Sequence, residues 1–128
     1  MPKTILIVED FEGTRDFIKF VLEDEGYQVV EAGSGSEAIN KFKETQPDLI
    51  LMDVSLPVMD GLSAARIIRK LEGVTKTPII AVTGHGESFY EKAMEAGCNQ
   101  LICKPINFNT LHPILNQYLK GLDTLLNH

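Results

Sequence analysis

The chain carries the stretch PDLILMD at residues 47–53, and this stretch decides the fold. Four consecutive apolar residues lie between a turn-forming Pro-Asp pair and Asp53, a pattern typical of a short strand buried on both faces. Strands of this kind belong to parallel sheets that are covered by helices on both sides. Asp53 is then expected at the carboxyl edge of the sheet, where open α/β folds bind ligands.

Similar apolar runs recur on both sides of this stretch. The five runs are Ile5–Val8, Tyr27–Val30, Leu49–Met52, Ile79–Val82 and Leu101–Cys103. Segments with helical spacing of apolar residues separate them, so strand and helix alternate five times. That alternation predicts an α/β fold built from βαβ units around a parallel sheet. The second run is more polar than the others, which favours an edge strand.

The helical segments have recognisable ends. In the first, Phe17, Ile18, Val21 and Leu22 are expected on one buried face, with Thr14 as the N-cap. Glycines fall where helices should end, as C-cap glycines do: Gly26, Gly73, Gly97 and Gly121.

Composition excludes several classes of protein. The 128 residues correspond to one domain, 1–128, and the 44% hydrophobic content excludes wholesale disorder. A net charge of −6 argues against binding nucleic acid or an anionic membrane through bulk charge. No apolar run is long enough to span a membrane. Cys98 and Cys103 form no disulfide framework, so we expect a reducing, cytoplasmic location.

Polar side chains that follow four of the five runs are expected to meet at one edge of the predicted sheet. The second run ends at Glu31 and Ala32 and contributes nothing obvious to that edge. Glu9 and Asp10 follow the first run, Asp53 the third, Thr83 the fourth and Lys104 the fifth. Three carboxylates this close repel one another, and Lys104 offsets one charge. A hard divalent cation would offset the others, and oxygen-only ligands select magnesium, manganese or calcium over zinc. We expect Mg²⁺, with Mn²⁺ as the alternative.

Such a site is suited to receiving a phosphoryl group. An aspartate is a competent nucleophile for that transfer, and the product is an acyl phosphate. The metal and Lys104 would neutralise charge on the phosphoryl oxygens, and positioning would do most of the remaining work.

The order and spacing of these motifs resemble the receiver domains of two-component response regulators, such as the single-domain chemotaxis regulator. The resemblance covers residues 3–119 and leaves 120–128 as a short tail. It is carried by the segments ILIVED (5–10), PDLILMD (47–53), LPVMDG (56–61), PIIAVTG (78–84), AG (96–97) and KP (104–105). It implies a flavodoxin-like doubly wound (βα)5 sandwich with strand order 2-1-3-4-5.

The resemblance also implies roles for the site residues. Asp53 would be the phosphoacceptor. It would also bind magnesium, together with Asp10 and the backbone carbonyl of Ser55 as direct ligands. Glu9 would contact the ion mostly through water. Lys104 would pair with the phosphoryl group.

Further roles follow from the same resemblance. Thr83 would swing toward the phosphoryl group and move its loop. The Lys104–Pro105 peptide bond is expected to be cis, and Gly61 is expected to support a turn after Pro57.

Three positions concern switching and the lifetime of the phosphoryl group. The family commonly has an aromatic ring three residues before the lysine, and this chain has Leu101 there, so a ring-flip form of signalling is in doubt. Ser55 and His85 lie two residues beyond Asp53 and Thr83, at positions that resemble those tuning phosphate lifetime. We therefore hypothesise that His85 affects dephosphorylation.

The function implied is a phosphorylation-dependent signalling switch, not an enzyme beyond self-catalysed phosphorylation and dephosphorylation. The phosphodonor would be a phosphohistidine of a sensor histidine kinase or phosphotransfer protein. A downstream protein would bind near Glu87–Leu119, without direct nucleic-acid or membrane contact, and a phosphorylation-linked homodimer stays open. Two alternatives are an aspartate-nucleophile phosphatase, which would need an acid where Ser55 stands, and a flavodoxin-like FMN carrier, whose phosphate Glu9 and Asp10 would repel.

Overall fold

Five parallel strands form one sheet in the order β2-β1-β3-β4-β5, as predicted. The computed structural model describes residues 2–55, 60–72, 76–84 and 86–120. The strands are β1 (Thr4–Val8), β2 (Gln28–Ala32), β3 (Leu49–Asp53), β4 (Ile79–Thr83) and β5 (Gln100–Cys103). The order reverses at β1 and β3, whose register pairs Ile7 with Leu51. Ligands bind at such a switch point in open α/β sheets.

Five helices connect and follow the strands. They are α1 (Glu12–Asp24), α2 (Gly35–Thr45), α3 (Gly61–Leu71), α4 (Tyr90–Glu95) and α5 (Phe108–Leu119), and a 3₁₀ turn at Gly86–Phe89 precedes α4. In the described part of the chain, no helix is long and apolar enough to cross a membrane.

The strands bury both of their faces, because alternate side chains enter two separate cores. Leu6, Ile50 and Ala81 pack with α2, α3 and α4 on one side. Ile7 and Leu51 pack with α1 and α5 on the other side. The predicted two-faced burial of the central runs is therefore confirmed.

The prediction for α1 needs two corrections. The helix begins at Glu12 rather than after Thr14, and its N-cap position is Phe11, which makes no side-chain cap. Ile18 and Leu22 are buried as expected, but the Phe17 side chain is 59% exposed. Its ring lies edge-on to Phe108 of α5, with centroids 5.8 Å apart, and Phe108 in turn packs, partly buried, against the core between α1 and α5.

Local capping explains the ends of the other helices. Ser34 accepts the backbone N–H of Glu37 and so caps α2, and the Glu37 side chain accepts the N–H of Gly33, the residue before the cap. Gly26 and Gly97 have φ of 97° and 100°, the left-handed conformation expected after a helix end. The predicted caps Gly73 and Gly121 lie outside the described residues.

Candidate functional site

Four strands deliver polar side chains to the carboxyl edge of the sheet. Glu9 directly follows β1, Asp53 ends β3, Thr83 ends β4 and Lys104 follows β5. The exposed fractions of Glu9, Asp53 and Thr83 are 4%, 2% and 0%, so three polar residues are buried at this edge. Burial of polar groups is costly unless they are paired, which makes their partners informative.

Lys104 joins two of the carboxylates. Its Nζ donates to Asp53 Oδ2 at 2.8 Å and lies 3.1 Å from Glu9 Oε1. The backbone N–H of Lys104 donates to the Thr83 carbonyl at 2.7 Å, which continues the ladder between β4 and β5. The backbone at the end of β5 thus positions the Lys104 ammonium beside the residues that follow β1 and end β3, where the strand order reverses.

Backbone N–H groups hold the remaining carboxylate oxygens. The Ser55 N–H donates to Asp53 Oδ1 at 2.8 Å, and the Phe11 N–H donates to Glu9 Oε2 at 3.2 Å. Asp53 therefore accepts one hydrogen bond at each oxygen, which orients its carboxylate. Ser55 is also the residue whose backbone carbonyl was predicted to bind the metal. It is exposed and lies two residues after Asp53.

The electrostatics of the site favour added positive charge. Burial raises the pKa of Glu9 above its usual value of 4.5, and nearby Asp53 adds to this, against the hydrogen bonds from Phe11 and Lys104. Burial alone would lower the pKa of Lys104, but its hydrogen bonds to Asp53 and Glu9 outweigh burial and raise it. Lys104 therefore carries its charge at neutral pH.

Glu9, Asp10 and Asp53 each offer a carboxylate oxygen, and these atoms lie within 4.8 Å of one another. Glu9 and Asp53 are buried, and Asp10 is exposed at the opening of the cluster. Three carboxylates against one ammonium leave two formal negative charges, and all of the available ligands are oxygens. This donor set fits a hard divalent cation such as Mg²⁺.

Gly61 lies where α3 approaches the end of β3 closely. A Cβ atom at Gly61 would collide with the backbone carbonyl oxygen of Asp53. Gly61 is the first residue of α3, and Asp60 caps that helix by accepting the N–H of Ser63 at 2.8 Å. Glycine is thus required for close approach of α3 to β3. The turn predicted after Pro57 lies outside the described residues.

The remaining predicted positions are distributed around the site. The Lys104–Pro105 bond is cis, as expected. Leu101 pairs with Ala81 in the β4–β5 register and packs, half-buried, against the core on the α2–α3–α4 side. His85 lies outside the described residues, so its effect on dephosphorylation stays a prediction.

The sequence interpretation missed one group beside the site. Arg15 of α1 donates from Nη1 to the backbone carbonyl of Glu9 at 2.8 Å, and its Nε lies 3.5 Å from Glu31 of β2. The end of β2 therefore contributes to the surroundings of the site through Glu31, although the sequence indicated no contribution from this strand. No local spacing relates Arg15, Glu31 and Glu9, because three separate elements carry them.

Comparison with known proteins identifies relatives along nearly the whole chain. The sequence model of the protein family described as the response regulator receiver domain matches residues 5–116. The polar-differentiation response regulator DivK of Brucella anthropi is 33% identical over 120 residues, which cover 93% of this chain and 98% of DivK. The signal transduction histidine-protein kinase BarA of Escherichia coli K12 is 37% identical over 122 residues, which are 94% of this chain but 13% of BarA.

Solved structures agree with the sequence relatives. The chemotaxis protein CheY4 of Vibrio cholerae superposes with a TM-score of 0.87 at 29% identity, over 93% of this chain and 100% of CheY4. The receiver domain of a Pseudomonas aeruginosa sensor histidine kinase gives a TM-score of 0.83 at 35% identity, over 92% of this chain and 98% of that one. That domain was solved with a magnesium ion coordinated in its active site cleft. These matches do not support the phosphatase or flavin-carrier alternatives.

Proposed function

The chain belongs to the response regulator receiver family, whose members are signalling domains, and on that premise we propose that Asp53 is its phosphoacceptor. One observation carries the proposal. The Asp53 carboxylate is buried at the end of a central strand, with the Lys104 ammonium 2.8 Å from one of its oxygens. A buried carboxylate and an ammonium in contact at the switch point suit a reaction in which charge on a phosphoryl group must be stabilised.

The reaction is a phosphoryl transfer from a phosphohistidine. A carboxylate oxygen of Asp53 attacks phosphorus and forms the new O–P bond while the N–P bond of the donor breaks. The bonding electrons of the N–P bond stay on the imidazole nitrogen, which is then free to take up a proton. The Lys104 ammonium pairs with the negatively charged oxygens of the transferred phosphoryl group. Thr83 at the end of β4 contacts the same group.

Glu9, Asp10, Asp53 and the Ser55 carbonyl would hold Mg²⁺, or Mn²⁺ in its place. The acidic cluster supports this assignment, because its carboxylate oxygens lie within 4.8 Å of one another around an excess of negative charge. When bound, the cation supplies positive charge beside the phosphoryl oxygens. No turnover of a separate substrate belongs to the proposal: the chemistry is limited to self-phosphorylation and dephosphorylation.

Receiver domains interact with histidine kinases and phosphotransfer proteins, and we propose such a donor here. Phe11, Phe17 and Phe20 are exposed on α1 and at its start, so a donor approaching Asp53 would meet an apolar surface. The proposed output surface stays Glu87–Leu119, because β5 links it to Lys104. A cytoplasmic location completes the proposal.

The decisive experiment is labelling with a small acyl-phosphate donor and magnesium. Intact mass spectrometry is expected to show the gain of one phosphoryl group, and hydroxylamine is expected to remove it, as it removes acyl phosphates. The Asp53→Asn variant should stay unmodified. Asp16→Asn, which removes a carboxylate from an exposed position of α1, should be labelled like the unchanged protein. Labelling that survives Asp53→Asn would overturn the assignment.

A further inference from the structure

Arg15 occupies a position from which it controls the backbone of the acidic cluster. Its Nη1 donates to the Glu9 carbonyl at 2.8 Å. That carbonyl belongs to the peptide group between Glu9 and Asp10, so holding it orients both carboxylate-bearing residues. The Asp10 carboxylate makes no hydrogen bond or ion pair within the described residues, and its placement therefore depends on its backbone.

The guanidinium of Arg15 is itself fixed from two sides. Its Nε lies 3.5 Å from Glu31 Oε1, and both of these atoms are buried and make no hydrogen bond in the described structure. On the other side, a Cβ atom added to Gly33 would lie 3.3 Å from Arg15 Nη1, so the group is packed against the loop after β2. The edge strand thereby supports the loop that follows β1.

We propose that Arg15, held by Glu31, is a positioning residue that sets the magnesium affinity of the acidic cluster. The inference rests on the proposed function, because it takes Glu9 and Asp10 as metal ligands. Groups that orient the ligands of a metal typically change its affinity 10–100-fold when they are removed. Arg15 acts through the peptide group and touches neither the metal nor the phosphoryl group.

The positive charge of Arg15 has an effect on magnesium affinity that opposes its positioning effect. Arg15 carries a positive charge near the cluster, so through charge alone its removal would strengthen cation binding. Lys19 provides a matched control for charge, because its Nζ also contacts Glu31, at 3.4 Å, one helical turn further along α1. Lys19 makes no contact with Glu9. Comparing the two residues therefore separates positioning from charge.

The test measures Mg²⁺ binding to the unphosphorylated full chain by isothermal titration calorimetry. Arg15→Gln is expected to raise the dissociation constant for Mg²⁺ about tenfold. Arg15→Lys, which keeps the charge, should fall between Arg15→Gln and the unchanged protein, and Lys19→Gln should bind as tightly as the unchanged protein or more tightly. Amide NMR shifts of Asp10 and Phe11 in the metal-free protein should move in Arg15→Gln and stay in place in Lys19→Gln.

The outcomes separate this inference from the proposed function. If the unchanged protein binds no Mg²⁺, the metal part of the proposed function is wrong and this inference falls with it. If the unchanged protein binds Mg²⁺ and Arg15→Gln binds it equally or more tightly, only the role of Arg15 is overturned. Thermal melting without metal checks folding, and Arg15→Lys carries the same test if Arg15→Gln does not fold.

Discussion

Lys104 shows how much a single residue contributes to this site. Its ammonium contacts both Asp53 and Glu9, and its backbone N–H is fixed by Thr83. The Asp53 and Glu9 carboxylates are buried, and a buried charge is costly to leave unpaired. The half-buried Lys104 ammonium therefore compensates them in the absence of another cation. A divalent cation in the proposed site would share this task, and metal and lysine together would then balance the three acidic side chains.

The first residue-scale prediction concerns Glu9→Gln in metal-free protein. The pKa of Glu9 is raised above 4.5 in the folded protein, mainly by burial, so the folded state holds this proton more tightly than the unfolded state. The free energy of unfolding therefore falls as pH rises from 4.5 through the folded pKa. A glutamine side chain does not ionise, so the free energy of unfolding of Glu9→Gln does not fall in this way. The variant should be the more stable protein at neutral pH, with an advantage that disappears below pH 4.5.

Urea unfolding at neutral and acidic pH without metal measures this difference. Saturating Mg²⁺ provides the control, because it stabilises the unchanged protein through binding and should reverse the order of stability. A Glu9→Gln variant that is less stable at neutral pH, or whose difference does not depend on pH, would contradict the argument.

The second residue-scale prediction concerns Gly61→Ala. The added methyl group meets the Asp53 carbonyl, so α3 and β3 must move apart, and overpacking of this kind typically costs about 1–3 kcal/mol of stability. Gly84→Ala is the matched control, because an added Cβ atom there would have no heavy atom of the described residues beyond its chain neighbours within 4 Å. We expect it to change stability by less than ~0.5 kcal/mol. Equal stability of the two variants in urea unfolding would show that the close approach at Gly61 is unimportant.

At the level of elements, an arginine network fixes the end of the sheet opposite the site. Arg69 of α3 pairs with Glu72 at 2.9 Å and donates to the carbonyl oxygens of Thr77 and Gly97 and to the Asn99 side chain. These contacts tie the end of α3 to the starts of β4 and β5. The Glu72 side chain is only 2% exposed, and its carboxylate accepts hydrogen bonds from Arg69 and from the backbone N–H of Thr77.

We therefore predict that Arg69→Ala destabilises the protein by about 3–5 kcal/mol, the range typical of leaving a buried charge unpaired. Arg66→Ala, an exposed position on the same helix, should change stability by less than ~0.5 kcal/mol. The double variant Arg69→Ala/Glu72→Ala should lose less than the sum of its single variants, because the residues are in contact. Mg²⁺ binding should be unchanged in Arg69→Ala below its melting temperature. Additive losses in urea unfolding would contradict the pairing.

The elements themselves were predictable because their signal is local. The apolar runs at 5–8, 49–52 and 79–82 mark strands buried on both faces, and polar residues at the ends of the runs mark the edge where the site lies. Arg15 was not predictable, because its partners lie on other elements and follow no sequence spacing. Arg69 pairs with Glu72 at a helical spacing of three residues, but its contacts with Gly97 and Asn99 before β5 follow no such spacing. Phe17 was misplaced because helical periodicity alone cannot show that Phe108 covers its ring outside the core.

Across the whole molecule, the two edges of the sheet have different tasks. The edge opposite the site is fixed by Arg69, Glu72 and Asn99. The carboxyl edge carries the charges that the proposed phosphoryl group and cation would alter. The link from the site to the proposed output surface is short, since Lys104 continues directly from β5 and its N–H is bonded to the end of β4. A change at Asp53 is therefore expected to affect β4, α4, β5 and α5 before the elements on the β2 side.

Hydrogen–deuterium exchange with mass spectrometry tests this expectation. Phosphorylation of the magnesium-loaded protein should change exchange in residues 79–119, because Lys104 and Thr83 both acquire a new partner at the phosphoryl group. Peptides from β2 and α2, which contribute no side chain to the proposed phosphoryl site, should exchange at the same rate before and after phosphorylation. Asp53→Asn treated in the same way should show no change anywhere. Changes confined to residues 28–45 would place the output surface on the other side of the sheet and overturn the proposed one.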